Sequence, residues 1–308
     1  MINHHIDTFA GLPVVEFAPD QPPPADPGAV AIRLSSGFEE TEQFQAAWDA
    51  LFAADWVGQV PALVIGDWGD AYDSAIDIEN LAAQADRLTS LRAVFLAELT
   101  QEESEISWIQ QGDVTPLLRA FPRLEVLRVR GSDGLELAAG TYPGLRELAV
   151  ETGGLPVGIV RAIAASKLPA LRHLELYLGT DNYGGDVDVP DLAPILAGAN
   201  LPALTYLGLR DSEIADQVAA AVASAPVVAR LHILDLSLGT LSDVGAAALL
   251  TGQPLTHLRK LDLHHHFLTE EMAERVRAEL ESAGVEVDLS EAELDASSPE
   301  ERFIAVSE

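Results

Sequence analysis

The stretch Leu201-Pro202-Ala203-Leu204-Thr205-Tyr206-Leu207-Gly208-Leu209 returns as Val228-Ala229-Arg230-Leu231-His232-Ile233-Leu234-Asp235-Leu236. It returns again as Leu255-Thr256-His257-Leu258-Arg259-Lys260-Leu261-Asp262-Leu263. Each copy reads apolar-x-x-apolar-x-x-apolar-x-apolar, and the third apolar position advances by a constant 27 residues, from Leu207 to Leu234 to Leu261. A repeat of this length marks a solenoid: no single copy can bury its apolar face, and stacked neighbours supply one continuous core. The closing apolar-x-apolar residues alternate, so each copy predicts a strand with the leucines on one face.

Upstream the same pattern recurs with third positions at Val94, Leu127, Leu148 and Leu174, making seven copies between Leu88 and Leu263. The steps between successive third positions are 33, 21, 26, 33, 27 and 27, and the irregular ones locate insertions at 101–120 and 179–190. Leu63-Val64-Ile65, 31 residues before Val94, reads as the first ladder strand. Each strand leads into a helix or short connection on the opposite, convex side. In the regular part Ser242 caps a helix starting at Asp243, with Val244, Ala247 and Ala248 as its inward stripe. Thr269 caps another, with Met272, Val276 and Leu280 inward and Gly284 ending it before a last strand at Val285 and Val287.

The flanks differ from the repeats. Residues 1–29 form an N-terminal arm and linker. Ala18 to Gly28 is too rich in proline for helix or central strand, whereas Phe9 to Phe17 is apolar enough to pack back on the domain. Residues 30–60 carry a strand at Val30–Leu34 and a helix at Glu39–Ala54 with Phe44, Trp48, Leu51 and Phe52 on one face. This predicts an N-terminal α/β cap over the exposed end of the stack. The solenoid proper spans 61–289. Residues 290–308 are an acidic tail whose apolar quartet Phe303-Ile304-Ala305-Val306 is expected to dock on the domain.

With 308 residues and a formal net charge of −31, the chain lacks the basic patch that nucleic acid or anionic lipid requires. Excess negative charge serves solubility and steers basic partners or basic segments of partners. Zero cysteines exclude disulfides and thiolate metal sites. No apolar run reaches the length of a transmembrane helix and Met1 to Asp7 is polar, so a cytoplasmic protein is expected.

Leu241 to Leu249 followed by Leu255 to Leu263 resembles the ribonuclease-inhibitor-like class of leucine-rich repeats. That resemblance implies an α/β arc or horseshoe with a parallel concave sheet and convex helices. It is specific from about Leu201 to Leu289 and looser from Leu63 to Asn200. With Glu105-Ile106-Ser107-Trp108-Ile109, Leu178-Gly179-Thr180 and His264-His265-His266-Phe267, the whole chain further resembles a bacterial family of such proteins, which implies no particular activity. The class's ladder asparagine is replaced here by Ser132, Gly153, Gly179, Ser212, Gly239 or His266, so the turns must satisfy their backbone groups in other ways.

Alternation lists the concave surface directly. It comprises Ala93, Phe95 and Ala97; Val126, Arg128 and Arg130; Glu147, Ala149 and Glu151; His173, Glu175 and Tyr177; Tyr206, Gly208 and Arg210; Ile233, Asp235 and Ser237; and Lys260, Asp262 and His264. Arginine and aromatic residues among carboxylates have the composition of protein-binding hot spots. Arg128 and Arg130 can hold a carboxylate, while Glu147, Glu151, Glu175, Asp235 and Asp262 can receive basic groups; the bland alternative is that these charges pair across strands. The expected function is a non-catalytic protein- or peptide-binding scaffold centred on His173, Glu175, Tyr177, Tyr206, Arg210, Asp235 and Asp262, joined by His264, Arg128 and Arg130. No cofactor is expected. A second hypothesis is metal binding or metal-dependent catalysis through His264 and His266 with nearby carboxylates, since alternate histidines on one strand face together. Its alternative has His266 standing in for the turn asparagine with the other two exposed. A third is self-association through the solenoid ends.

The loop Asp181 to Asp188 lacks calcium-loop spacing and reads as solvated. Glu102, Glu103, Glu105 and Trp108 offer an acidic, aromatic-anchored edge, although Trp108 is more simply placed in the core. Phosphate-loop, zinc-protease and serine-hydrolase signatures are missing, which together with a sheet surface in place of a deep pocket argues against catalysis.

Overall fold

The computed structural model describes residues 3–293 and 298–307. The chain divides into two compact units, up to Glu151 and from Thr152 to Ser307. Both are built from parallel strands alternating with helices, an α/β arrangement consistent with a leucine-rich-repeat solenoid.

In the first unit the strands are β1 (Thr8–Phe9), β2 (Leu12–Glu16), β3 (Ala31–Leu34), β4 (Ala62–Ile65), β5 (Ala93–Leu96), β6 (Val126–Arg130) and β7 (Glu147–Glu151). The helices are α1 (Thr41–Ala53), α2 (Ile78–Ala83) and α3 (Thr115–Ala120). Strands β2 to β7 pair in parallel, and the register Val15, Ile32, Leu63, Val94, Leu127, Leu148 aligns the apolar positions expected from sequence. The stacking begins two strands before Leu63. Strand β1 is antiparallel to β2 across a two-residue turn, where Ala10 and Gly11 both have positive φ, the backbone that a tight hairpin demands.

That hairpin turns Phe9 onto the sheet face opposite the helices. There it joins Ala31, Ala62, Val64, Ala93 and Phe95, with Ile6, Leu12, Val14 and Val126 around them. The Phe9 and Phe95 rings lie 5.8 Å apart. The arm therefore does more than link: it covers part of the face that alternation marks as free, including Ala93 and Phe95.

The second unit contains β8 (His173–Gly179), β9 (Tyr206–Ser212), β10 (Ile233–Asp235), β11 (Lys260–Asp262) and β12 (Glu286–Asp288), with α4 (Val157–Ala165), α5 (Val189–Ala197), α6 (Ala215–Val222), α7 (Asp243–Thr251) and α8 (Glu270–Leu280). These strands pair in parallel, with Leu174, Leu207, Leu234, Leu261 and Val287 in one register row. The leucines of each repeat are nearly or wholly buried.

The 27-residue period also governs helix starts. Asp216 of α6 accepts from the Ser242 amide (2.8 Å), the Ser242 hydroxyl (2.6 Å) and the Gly245 amide (3.0 Å) at the start of α7. Asp243, 27 residues on, does the same for α8 through the Thr269 amide and hydroxyl, both at 2.8 Å. Each helix thus supplies the acid that satisfies free N–H groups of the next. Ser242 and Thr269 cap as expected, accepting from the Val244 and Met272 amides.

The inward stripe of α7 differs from expectation. Val244 is 70% exposed, and Gly245, Ala246 and Leu249 are the buried residues. Gly245 is what permits this: a Cβ there would lie 2.6 Å from both Asp216 Oδ1 and Leu241 Cδ1, so the helix sits close enough for Asp216 to reach its amides. In α8 the buried set is Ala273, Val276 and Leu280, and Met272 is only half-buried.

Four residues after the central apolar position of each strand from β9 onward stands a non-glycine residue with positive φ: Asp211 (51°), Leu238 (67°), His265 (53°) and Glu291 (56°). Each such conformation costs roughly 1–2 kcal/mol. It is held by onward pairing of the backbone, Asp211 N–H to Ser237 O, Leu238 N–H to His264 O and His265 N–H to Ser290 O. Gly131 (φ 87°) occupies the same place after Leu127.

The apolar quartet of the tail docks across these turns. Ile304 and Val306 are buried, the Val306 amide donates to Asp211 (2.9 Å), the Ala305 amide donates to the Leu238 carbonyl (2.8 Å), and Phe303 packs edge-on against His265 and Phe267.

Candidate functional site

The face opposite the helices in the second unit is organised in rows by strand register. His173, Tyr206, Ile233 and Lys260 form the first row. Glu175, Gly208, Asp235 and Asp262 form the second, and Tyr177 stands beside Arg210 in the third, where Arg210 meets the Ser237 hydroxyl beyond the end of β10. The first row, together with Arg210 and His264, is partly accessible, whereas Glu175, Tyr177, Asp235 and Asp262 are buried.

Gly208 makes the central arrangement possible. A Cβ there would approach Tyr206 Cε1 to 3.1 Å and Glu175 Cγ to 3.3 Å, so the bare glycine leaves room for the Tyr206 ring to lean across it. The Tyr206 hydroxyl then lies 2.7 Å from Asp235 Oδ2 and 3.3 Å from Glu175 Oε2, and its ring stacks on His173 with centroids 3.8 Å apart and planes 5° from parallel. His173 in turn lies 3.0 Å from Glu175. Arg210 binds Glu175 (2.8 Å), Asp235 (3.3 Å) and the Ser237 hydroxyl (2.9 Å), while its guanidinium sits 5.0 Å from the Tyr177 ring centre. Burial, reinforced by the two neighbouring carboxylates, pushes the Tyr206 phenol far above its ordinary range, so it stays a neutral donor.

At the far end of the rows, Lys260 contacts Asp262 (2.8 Å) and Asp288 (3.4 Å), and His264 Nδ1 lies 2.6 Å from Asp262 Oδ1. Burial opposes ionisation of Asp262, but hydrogen bonds from His264 and Lys260 outweigh it and hold the carboxyl well below the usual range. The same hydrogen bond raises the His264 pKa.

The expected pairing of His264 with His266 does not form. Positive φ at His265 breaks strand alternation, so the two rings turn apart. His266 is buried in the turn, where Nδ1 accepts from the Leu268 amide (3.1 Å) and Nε2 faces the Leu289 carbonyl (3.3 Å). It takes the place of the missing asparagine. His265, expected to be exposed, is buried beside Phe267 and Phe303 with Nε2 3.1 Å from the Phe303 carbonyl. Ligand atoms of Asp262, His264 and Asp288 do lie within 4.8 Å of one another, but the Lys260 ammonium already occupies the two carboxylates.

Arg128 and Arg130 belong to the first unit. Arg128 binds Glu147 (2.9 Å) and Glu151 (3.4 Å), Arg130 binds Glu151 (2.8 Å) and the Leu99 carbonyl, and both lie against the Phe95 ring. Their charges are satisfied across neighbouring strands. Nearby Arg33 and Glu98 form a buried ion pair, with Glu98 also accepting from the Ile6 amide (3.0 Å). Sequence reading does not single out that pair; its one signal is a lone arginine in the apolar strand Ala31–Leu34. Trp108 is 44% exposed, which corrects its expected place in the core, and its indole N–H donates to Glu105 (2.8 Å).

A crystallographically determined Bacteroides fragilis protein, a structural-genomics target, is similar to this chain with a TM-score of 0.81 and 27% identity, over 90% of this chain and 77% of that one. A TLR13 complex with single-stranded RNA aligns with a TM-score of 0.42 and 14% identity, over 86% of this chain and 33% of that one. No protein-family model matches the chain, and neither does any curated protein sequence. Among the described residues no helix is long and apolar enough to cross a membrane.

Proposed function

We propose that the chain is a non-catalytic leucine-rich-repeat binding scaffold of the ribonuclease-inhibitor-like kind, and that it holds a protein or peptide segment on the face formed by His173, Tyr206, Arg210, Ile233, Lys260 and His264. The concave curvature and the N-terminal cap of that class belong to the same proposal. One observation carries it: a partly accessible set of aromatic and cationic side chains, His173, Tyr206, Arg210, Lys260 and His264, is held in place by hydrogen bonds and ion pairs to the buried carboxylates of Glu175, Asp235 and Asp262. Rigid Tyr and Arg groups offer contact area at low entropic cost, which is how binding hot spots are built. Tyr177, Glu175, Asp235 and Asp262 act in support and do not make first contact with a partner. The metal hypothesis loses support with the turning away of His266.

The test is parallel capture from a cell extract by wild type and by the full-length variant Ile233→Glu, whose position is partly accessible and outside the Tyr206–Arg210 cluster, with an unchanged melting temperature of the variant as the control on its fold. A partner retained by wild type and lost by the variant supports the assignment. Equal retention moves the site off this face.

A further inference from the structure

Six large apolar side chains are exposed among the described residues, and three of them, Phe38 (71%), Tyr72 (52%) and Trp108 (44%), line one cavity of about 450 Å³. Scattered exposed apolar residues need no explanation, but a cluster around one cavity marks an interaction site. The three come from the loops that follow β3, β4 and β5, all in the first unit, at the carboxyl ends of consecutive parallel strands. The other side chains around the cavity are acidic or small: Asp67, Asp73, Glu103, Glu105, Ala71 and Ser104. No basic side chain among the described residues lines it.

The geometry is fixed. The Tyr72 and Trp108 rings are 5.7 Å apart and tilted by 31°, and the Trp108 indole is held by its hydrogen bond to Glu105. Asp67 is 4% exposed. Its Oδ1 accepts from the Gly69 amide (2.7 Å), and no group among the described residues donates to Oδ2. Gly69, with φ of 87°, is pressed against α1 so closely that a Cβ would lie 2.4 Å from the Thr41 nitrogen, which pins the loop carrying Asp67. Glu103 is already engaged by the Thr100 amide and hydroxyl and by His5. Burial, with Glu103, Asp70 and Glu40 nearby, raises the Asp67 pKa, the mark of a carboxylate lacking its cation.

We propose that this cavity takes the side chain of an arginine from a basic peptide, its guanidinium lying flat on the Trp108 and Tyr72 rings and its N–H groups reaching Asp67 and Glu105. Guanidinium suits the site better than ammonium because it stacks on aromatic faces while donating in its own plane to carboxylates, and it sheds water more readily. The overall charge of −31 draws such a peptide in. Nothing is required of the second unit's polar face, so either assignment can fail alone.

The experiment titrates full-length protein with a capped Gly-Gly-Arg-Gly-Gly peptide and with its lysine and citrulline counterparts, up to about 10 mM. The readout is the indole N–H resonance of Trp108, assigned with Trp108→Phe. Expected are saturable shifts with arginine, affinity about tenfold lower with neutral citrulline, and a comparable loss in Asp67→Asn and in Tyr72→Ala. The amide oxygen that Asp67→Asn introduces still accepts from the Gly69 amide, and Tyr72 is exposed, so at least one variant folds normally. No saturation, equal binding of citrulline, or unchanged affinity in both variants overturns the cation site; equal or tighter binding of lysine overturns the assignment to arginine.

Discussion

Removal of the Arg210 side chain tests the charge balance of the polar face. Arg210→Ala deletes contacts of 2.8 Å to Glu175 and 3.3 Å to Asp235, and these two carboxylates have side chains only 7% and 6% exposed. The single Tyr206 hydroxyl proton still serves Asp235 at 2.7 Å and His173 still lies 3.0 Å from Glu175, so neither acid is stripped of every partner, but the Arg210 countercharge is gone. Breaking a buried pair from one side costs about 3–5 kcal/mol. Residual access and the Tyr206 hydroxyl place the expected loss near the lower bound, at about 3 kcal/mol. Equilibrium urea unfolding at pH 7 measures it. Most of the loss comes from uncompensated acids, so adding Glu175→Gln to Arg210→Ala should restore about 1–2 kcal/mol. A loss below about 1 kcal/mol, or a double variant worse than the single one, would refute the reasoning.

Asp211 is fully buried with Oδ2 facing no donor among the described residues, and burial pushes its pKa well above the ordinary value. Asp211→Asn keeps the Val306 contact, suits the left-handed backbone and removes the buried charge, so it should stabilise by about 1 kcal/mol at pH 7. A raised folded pKa means the wild type loses stability as pH rises toward that value, so the gain should fade below about pH 4, as calorimetric melting at both pH values would record. For His264, also raised, the contribution is complete below about pH 6.5 and lost as pH rises through the folded pKa, while Asp262, lowered, contributes above about pH 4 and fails as pH falls. The stability gap between wild type and His264→Asn should accordingly be widest near about pH 5–6 and narrow toward about pH 9, measured by denaturant unfolding across that range; a flat gap would show that the pair carries no weight. Gly245→Ala sets a helix-propensity gain of about 1 kcal/mol against overpacking worth about 1–3 kcal/mol. With two atoms 2.6 Å from the new Cβ, overpacking should win and the melting temperature should drop.

What can be read from sequence is what repeats. Leucines 27 residues apart determine strand register because each must meet its counterpart in the next copy, and the strand pairings align the third apolar positions. The recurrence of Asp216 and Asp243 at the same interval is equally legible, although only the structure shows what it serves. Alternation fails where the backbone departs from a strand: positive φ at His265 has no signature in a histidine, so alternation alone puts His264 and His266 on one face, and only the place of His266 at the ladder-asparagine position hints that it belongs to the turn. In α7 the apolar pattern points one residue away from the buried stripe because Val244 is more apolar than Gly245, yet close approach to Asp216 favours the residue without a side chain. Long-range coverage is invisible too. Nothing local to Phe95 announces that the distant Phe9 folds over it. Nor does local sequence tell whether Arg128 and Arg130 await a partner or are met by Glu147 and Glu151 on the next strand.

The central claim, that a protein segment lies on the face of the second unit, is tested most directly by hydroxyl-radical footprinting of the full chain with and without a captured partner. Reduced labelling of His173, Tyr206, Ile233 and His264, with Val244 on the opposite helical side labelled as before, is the predicted result. Undiminished labelling of all four residues in a saturated complex would contradict it.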